Sequence, residues 1–307
     1  MTATFVKDAH SVDIYPAAAV TAGDLVEFGA LTGAIVRSAE AEKIASVRLY
    51  GEHKVSKTAN IVLVRGQLAY EIFSTGAASH YAPGRKCLGM VSRDAAASDT
   101  EVHILFGKQP TYLVDLRETT ASETVVGSAT VLPIVGGGAK LNLINTNEAE
   151  KASILPDGTF SILQCPIAEF RVARVSASAA AVDMDWGIGS GDHASDFESI
   201  TNFVAFHTDG GDNNIDAHSK DAVANVAITD TAVDQTDAAY DHFLIDARDR
   251  TSVKLYINGI RVLSGSTFAL PVTATTLKAI VHTEKTTGTT TGELRVERLL
   301  VWANVKE

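Results

Sequence analysis

Cysteine is scarce in this chain, whose 307 residues include only Cys87 and Cys165. The two lie in different strand-rich blocks and do not have the spacing of metal ligands. This scarcity excludes a disulfide-rich extracellular scaffold. We predict two buried free thiols in a protein that assembles in a reducing cytoplasm.

Runs of basic residues are also missing. The formal net charge is −11, and the longest basic stretch is the pair Arg85-Lys86. Proteins that bind nucleic acids gain affinity when lysine and arginine neutralise phosphates, so we predict no direct contact with DNA or RNA. An excess of acidic residues is typical of an exposed, abundant protein that has to stay soluble.

Long apolar stretches are absent as well. No segment approaches the roughly 18 residues that a membrane span needs, and the first residues do not have the pattern of a signal peptide. We therefore expect neither membrane contact nor export by the usual route. Aromatic residues make up only 7%, which favours tightly packed short strands over large ligand pockets.

Motifs that carry chemistry are missing too. The glycines of 136–141 do not have the spacing of a phosphate-binding loop, and those of 187–191 do not follow the dinucleotide-binding pattern. No Gly-x-Ser-x-Gly nucleophile motif occurs. The sequence therefore predicts no catalytic residue, no cofactor-binding residue and no metal ligand, and we interpret the protein as one that is not an enzyme.

What the chain does contain is a series of short apolar segments, most of them with a two-residue period. In the first block they predict strands at 25–28, 31–36, 47–50, 61–64, 68–72 and 102–106. Residues 39–46 are compatible with one helical turn or two, and the pattern does not decide it. The polar, Gly- and Pro-containing stretch 107–110 marks a boundary, which gives one domain of residues 1–108 and another of residues 109–307.

The second block continues the pattern. Strands are predicted at 112–116, 160–163, 170–173, 202–207, 253–258 and 260–263, and in a last strand with Leu294, Val296, Leu300 and Trp302 on one face. Arg298 interrupts that face and indicates a strand edge or a bulge. Asn258-Gly259 is the preferred pair for a type I′ hairpin turn, because both central residues need a positive φ. Strands at this spacing without a helical period predict an all-β sandwich or barrel.

Two groups of segments resemble known families. Residues 20–34, VTAGDLVEFGALTGA, and 64–70, VRGQLAY, resemble the small β-domain of the capsid cement (head decoration) proteins of tailed bacteriophages. Residues 243–247, FLIDA, and 253–262, VKLYINGIRV, resemble the late strands of a concanavalin A-like, laminin-G-like jelly roll. Residues 299–302, LLVW, are similar to the final strand of that fold.

These resemblances imply a structural virion protein on the outer capsid surface. A small N-terminal β-barrel-like domain would bind the capsid, and a lectin-like β-sandwich, or jelly roll, would project outward. The partner would be the major capsid protein, whose neighbouring subunits a homotrimer would bridge, through strand edges and loops near 29–34 and 74–85. The alternative is a carbohydrate-binding or adhesion module on the virion surface, with a glycan as partner.

Two metal interpretations compete with this hypothesis. Residues 209–216, DGGDNNID, offer oxygen ligands of the kind that calcium prefers, but they lack the spacing and the bidentate glutamate of an EF-hand, so we interpret them as a solvated loop. His207 and His218 flank this loop without the spacing of a zinc site. We interpret these two, together with His193, His242 and His282, as surface or strand-end histidines.

Carbohydrate chemistry is the remaining alternative. The residues suited to a sugar site in a lectin-like sandwich are Asp192, Asp209, Asn214 and Trp186. Asp183 and Asp185 have the i, i+2 spacing of paired glycosidase carboxylates, beside the same tryptophan. We interpret the pair as the acidic solvent face of an ordinary strand, because no second aromatic-rich strand accompanies it.

Overall fold

The structure is a computed structural model that describes residues 11–28, 31–72, 75–81, 85–106, 112–116, 121–134, 138–175, 181–194, 196–222, 225–271 and 276–303. Contacts divide the chain into two compact units, residues 1–110 and 111–307, which we call unit 1 and unit 2. The predicted boundary at 107–110, glycines 136 and 137, and positions 29, 30, 74 and 82–84 of the predicted capsid-contact loops lie outside the described residues.

The described part of unit 1 consists of short antiparallel strands. They are β1 (Ser11–Ile14), β2 (Leu25–Phe28), β3 (Leu31–Ile35), β4 (Ala45–Arg48), β5 (Gly51–Ser56), β6 (Leu68–Ile72), β7 (Ala77–Ser79), β8 (Lys86–Val91) and β9 (Glu101–Phe106). One sheet has the order β1-β4-β3-β2 and the other the order β5-β9-β8-β6-β7. Val102, Ile104 and Phe106 are buried on one face of β9, as their two-residue period predicts.

Unit 1 differs from the sequence prediction at two segments. Residues 61–64 are buried as expected for an apolar run, but they form no strand, and Leu63 makes only an isolated bridge to Ala95. Asn60 and Gly66 have positive φ angles, so the chain turns before and after residues 61–64. The extended part between these turns is too short to form a strand. Residues 39–46 contain no helix: Glu42 has a φ of 59° in a turn, and β4 begins at Ala45.

Unit 2 is also built from antiparallel strands. They are β10 (Tyr112–Asp115), β11 (Ala121–Val126), β12 (Thr130–Pro133), β13 (Ala139–Leu143), β14 (Glu150–Pro156), β15 (Phe160–Ser161), β16 (Pro166–Val175), β17 (Val182–Gly189), β18 (Asn202–Asp209), β19 (Asn214–Asp221), β20 (Asn225–Asp234), β21 (Asp241–Asp246), β22 (Lys254–Ile257), β23 (Ile260–Val262), β24 (Thr276–Lys285) and β25 (Gly292–Ala303). We call the sheet with order β11-β14-β24-β17-β18-β19-β20 the front sheet; β15 also pairs with β24. The back sheet has the order β12-β13-β25-β16-β21-β22-β23, and β10 also pairs with β25.

The two sheets of unit 2 share one apolar core. Trp186 and Phe206 of the front sheet meet Phe243 of the back sheet, with ring centroids 4.8 and 4.9 Å from that phenyl ring. Such aromatic packing contributes about 0.5–1.5 kcal/mol per pair beyond the burial of area. The predictions of an all-β protein and of a β-sandwich are therefore confirmed.

The hairpin predicted from Asn258-Gly259 is confirmed. The two residues have φ angles of 51° and 81°, both in the left-handed region that a type I′ turn requires. The turn joins β22 to β23 with Ile257 opposite Ile260.

The last strand contains the bulge that Arg298 indicated. Its pairing with β16 passes from Arg171↔Arg298 to Val172↔Val296, so Glu297 is the extra residue. The core-facing residues are Leu294 and Val296 before the bulge and Leu299 and Val301 after it. The prediction that Leu300 and Trp302 share the face of Leu294 is therefore wrong, because the extra residue reverses the alternation.

Three smaller expectations have mixed outcomes. The strand predicted at 160–163 is shorter, because β15 is followed by a 3₁₀ helix, Ile162–Gln164, which Ser161 caps. Cys87 and Cys165 form no disulfide, and both are half-buried, whereas buried thiols were predicted. Among the residues that the structure describes, no helix has the length and apolarity needed to cross a membrane.

Candidate functional site

The outer face of the front sheet carries buried polar residues, and it is the candidate functional site. On β17, Met184, Trp186 and Ile188 point into the sandwich core. Successive side chains of a strand alternate between faces, so Asp183 and Asp185 lie on the outer face.

Neighbouring strands add histidines and a further carboxylate to this face. Strand pairing places Asp183 opposite Asp209 of β18 and Asp185 opposite His207. His218 of β19 lies on the same face, with a ring centroid 5.2 Å from that of His207. Together with Glu198, described next, these residues form what we call the acid–histidine cluster: Asp183, Asp185, Glu198, His207, Asp209 and His218.

The segment that links β17 to β18 covers the cluster. It contains a 3₁₀ helix, Phe197–Ser199, capped by Asp196, which places Glu198 with its side chain 42% exposed beside the histidines. Phe197 packs on the rings of His218 and His282 with centroid distances of 5.6 and 5.7 Å. Because of this cover, the side chains of Asp185, His207 and His218 are 0–2% exposed.

Asp185 is the centre of the hydrogen bonding. His207 Nδ1 and His218 Nε2 each lie 2.9 Å from Asp185 Oδ1 and donate to it. His207 Nε2 donates to Asp209 Oδ1 at 2.8 Å, so both ring nitrogens of His207 face carboxylates. The second oxygen of Asp185, Oδ2, is buried and has no hydrogen-bond partner among the described residues.

These contacts fix the charges of the central pair. Burial lowers the pKa of His207, but the charge of Asp185 and hydrogen bonds to Asp185 and Asp209 outweigh it and raise the pKa to about 11. Burial raises the pKa of Asp185, but His207 and His218 outweigh it and hold the pKa well below its usual range. His207 is thus an imidazolium and Asp185 a carboxylate at neutral pH.

Two carboxyl groups at the margin of the cluster hold protons near neutrality. Burial, followed by a hydrogen bond to Asp209, raises the pKa of Asp183 to about 7. Burial, a hydrogen bond to Asp196 and the charge of Asp185 raise the pKa of Glu198 to about 8. These two groups can therefore release protons when a cation approaches.

A second polar network lies beside the cluster on the same face. Lys151 Nζ donates to Asp192 Oδ2 at 2.6 Å, and Ser153 donates to the same oxygen at 2.8 Å. His282 Nε2 lies 2.7 Å from Glu284 Oε2. Burial lowers the pKa of His282, but hydrogen bonds to Asp192 and Glu284 outweigh it and raise the pKa to about 9.

The sequence interpretation of the histidines is wrong for three of the five. His207, His218 and His282 are buried inside strands, whereas His242 is the second residue of β21 and His193 is half-buried. The positions 207 and 218 are eleven residues apart in sequence, yet adjacent strands of one hairpin bring them together. A signal was present: His207 and Asp209 share a face at i, i+2, as do Asp183 and Asp185.

The structure also settles where the carbohydrate candidates lie. Asp183 and Asp185 share a face, but Asp185 is fully buried, and hydrogen bonds to two histidines use one of its oxygens. Trp186 points into the core, so it provides no aromatic surface for a sugar. Asp192 is engaged by Lys151 and Ser153, whereas the Asp209 side chain is 44% exposed.

The acidic loop at 209–216 is held by an arginine. Arg174 is buried, and its guanidinium donates to the Asp212 carbonyl and to Asn213 Oδ1. These two oxygens are of the kind that a calcium ion would use. Arg174 therefore occupies two oxygens that a calcium ion in this turn would need.

The groups that could hold a metal ion lie instead in the acid–histidine cluster. One ligand atom from each of Asp185, Glu198, His207 and His218 lies within 4.8 Å of every other. A second, overlapping group is formed by Asp183, His207 and Asp209. Imidazole and carboxylate ligands in this number suit a first-row transition metal.

Comparison with known proteins gives one family match. Residues 6–106 match the sequence model of the phage cement protein family, and the match lies entirely within unit 1. No curated protein matches the chain significantly.

Several solved structures are similar to part of the chain. The carbohydrate recognition domain of Emp47p has a TM-score of 0.44 and 12% identity, over 63% of this chain and 95% of that one. The carbohydrate-binding module CBM66 from Bacillus subtilis has a TM-score of 0.41 and 11% identity, over 61% and 98%. LamAcat from Zobellia galactanivorans has a TM-score of 0.40 and 9% identity, over 54% and 77%. At these values the similarities carry no argument about function.

Proposed function

We propose that this chain is a structural protein of a phage virion, which binds the outside of the capsid and stabilises it by bridging major capsid subunits. The observation that carries the proposal is the match of residues 6–106 to the phage cement protein family, because it coincides with a compact structural unit. Unit 1 would make the capsid contact, and unit 2 would be displayed outward.

Unit 1 has a surface suited to a protein contact. Tyr15, Val36 and Ile44 are 71%, 50% and 58% exposed. The pairing of β1 with β4 ends at Ile14↔Ala45, so Tyr15 and Ile44 follow that pair directly and lie next to each other. Val36 lies on the other side of β4, where its N–H donates to the Ser46 carbonyl. We call these three residues the apolar rim. Clustered exposed apolar side chains are typical of a protein interaction site.

Edge strands supply a second means of contact. In the sheet orders above, β1 and β2 are the edges of one sheet and β5 and β7 those of the other. Edge strands present unpaired backbone groups, which can hydrogen-bond to a strand of another protein. A specific contact needs about 800 Å² on each partner, and a homotrimer would combine three such contacts through effective concentration.

The proposal is tested with the full chain and undecorated heads of the phage that carries the gene. We expect the double variant Tyr15→Ser/Ile44→Ser to bind the heads at least ten times more weakly in co-sedimentation. The matched control Ile228→Ser/Ile260→Ser removes two exposed apolar side chains of unit 2 and should bind normally. Equal loss in both variants, or no binding by the unchanged chain, would contradict the assignment to unit 1.

The homotrimer is tested separately. Light scattering of the chain, free and released from heads, should give three times the 32.4 kDa of one chain. A monomer mass in both preparations would reject the trimer, but it would not contradict the proposed capsid contact.

A second candidate function is glycan binding by unit 2. The observation that favours it is the pair of partly exposed carboxylates, Glu198 and Asp209, above the buried cluster. Binding on a glycan array that is lost in Asp209→Ala would support it. An array with no binding would leave unit 2 without a glycan partner.

A further inference from the structure

We propose that Asp185, Glu198, His207 and His218 bind one divalent first-row transition-metal ion, for which Zn²⁺ is the reference probe. The site would lie within unit 2, and it does not depend on the proposed capsid contact of unit 1.

The positions of the ligand atoms support this site. Ligands about 2.1 Å from one ion lie roughly 3.0 Å apart when adjacent and roughly 4.2 Å apart when opposite in an octahedral arrangement. His207 Nδ1 and His218 Nε2 are each 2.9 Å from Asp185 Oδ1, the spacing of adjacent ligands. All four residues offer atoms within 4.8 Å of one another, so closure around an ion requires shifts of about half an ångström.

An independent observation at the same place is the second oxygen of Asp185. Oδ2 is buried, on a residue that is 0% exposed, and has no hydrogen-bond partner among the described residues. A buried carboxylate oxygen without a partner costs about 1–3 kcal/mol or more. A cation that Asp185 bound through both oxygens would remove that cost.

In the part of the chain that the structure describes, the cluster contains no lysine or arginine contact that an ion would have to displace. The cluster contains four carboxyl groups and two histidines, and in the described contacts no lysine or arginine side chain bonds to those carboxyl groups. A divalent ion would displace the ring protons that His207 Nδ1 and His218 Nε2 direct at Asp185 Oδ1, and each proton would pass to solvent or to another atom of the cluster.

The surroundings have the features of a metal site. His207 donates its other ring nitrogen to Asp209 at 2.8 Å, and a carboxylate in that position orients a histidine ligand and raises its basicity. Glu198 lies at the partly exposed side of the cluster, where an ion would arrive from solvent. Phe197 and Phe203 close the other side against the ring of His218.

The first experiment is calorimetric titration of the chelator-treated full chain with ZnCl₂, and with CaCl₂ as the hard-cation comparison. We expect one Zn²⁺ per chain and much weaker binding of Ca²⁺. Asp185→Asn and His218→Gln should weaken Zn²⁺ binding at least 100-fold. Asp209→Asn, which alters only a positioning residue, should weaken it 10–100-fold.

The matched control is His242→Gln. His242 is as buried as His218, but it lies on the back sheet, 3.6 Å from Glu169 Oε1. This variant should bind Zn²⁺ within threefold of the unchanged chain. Absence of a one-to-one site, or equal affinity in Asp185→Asn and His242→Gln, would overturn the proposal.

A second measurement needs no variant and covers the case in which Asp185→Asn does not fold. Co²⁺ added to the unchanged chain should shift the ring-proton resonances of two histidines strongly in NMR spectra, and Zn²⁺ should reverse the shift. The distances predict that these are His207 and His218. Shifts confined to other histidines, or none at all, would overturn the site.

Discussion

Neighbouring residues of β17 have opposite environments, and the strand geometry explains why. Asp185 faces the covered outer surface and accepts from two histidines, whereas Trp186 packs on Phe243 in the core. The alternation was visible in the sequence, so the shared face of Asp183 and Asp185 could be predicted. The burial of that face could not, because it depends on Phe197 and its segment, which carry no periodic signal.

The charged groups of unit 2 predict how its stability depends on pH. The pKa values of Asp183 and Glu198 are raised to about 7 and about 8, so the folded chain keeps protons that the unfolded chain loses above about pH 4. Stability therefore falls as the pH rises through that window. His207 and His282 act in the same direction: their contribution is complete below about pH 6.5 and is lost as the pH rises through about 9 and 11.

At low pH the stability of unit 2 falls again, because Glu169 becomes protonated. Burial raises the pKa of Glu169, but Arg298 and His242 outweigh it and lower the pKa to about 2, so its contribution is present above about pH 4 and lost below. We expect the metal-free chain to be most stable near pH 5 and to lose stability steadily between pH 5 and pH 9. Calorimetric unfolding at pH 5, 7 and 9 measures this, and His282→Gln should flatten the fall between pH 7 and 9. A midpoint that rises from pH 5 to 9 would contradict the assigned charges.

At the scale of strands, turns and bulges account for what the sequence could and could not predict. Asn258-Gly259 fixes its hairpin locally, so the sequence was sufficient. The bulge at Glu297 was indicated by Arg298, but its effect on Leu300 and Trp302 depends on the register with β16, a contact between distant parts of the chain. The run 61–64 has the composition of a strand, yet the turns on both sides prevent pairing.

Gly89 provides a test of strand packing in unit 1. It lies in β8 with a φ of 142°, and a Cβ atom there would come 2.4 Å from the carbonyl oxygen of Leu105 in the neighbouring strand. Gly89→Ala therefore strains the backbone and separates β8 from β9, which we expect to cost about 2–4 kcal/mol. Chemical denaturation measures the loss. Gly265→Ala is the control, because a Cβ atom there meets nothing within 4 Å.

At the scale of the whole molecule, the two units have separate cores. Val55, Leu63 and Ile104 belong to a core of unit 1, and Trp186 and Phe243 to that of unit 2. Units with their own cores can unfold as independent cooperative bodies. The sequence predicts two strand-rich blocks, because a polar stretch with glycine and proline lies between them.

Calorimetry should therefore resolve two unfolding transitions in the full chain. Gly89→Ala should lower the midpoint of the unit 1 transition and leave that of unit 2 within about 1 °C. A destabilisation of 1 kcal/mol lowers the unfolding midpoint of a domain of this size by several degrees. A single transition that shifts as a whole would show that the units unfold together.

The pairing of β10 with β25 brings Tyr112 opposite Trp302, so the first and the last described strands of unit 2 lie side by side. A body with adjoining ends can be spliced into a surface loop of a host protein without stretching either junction. Its ends can also be joined and reopened elsewhere, for instance at the Asn258-Gly259 turn, to give a circular permutant. The strand pairing that closes the sandwich therefore also allows unit 2 to be inserted into another protein as one body.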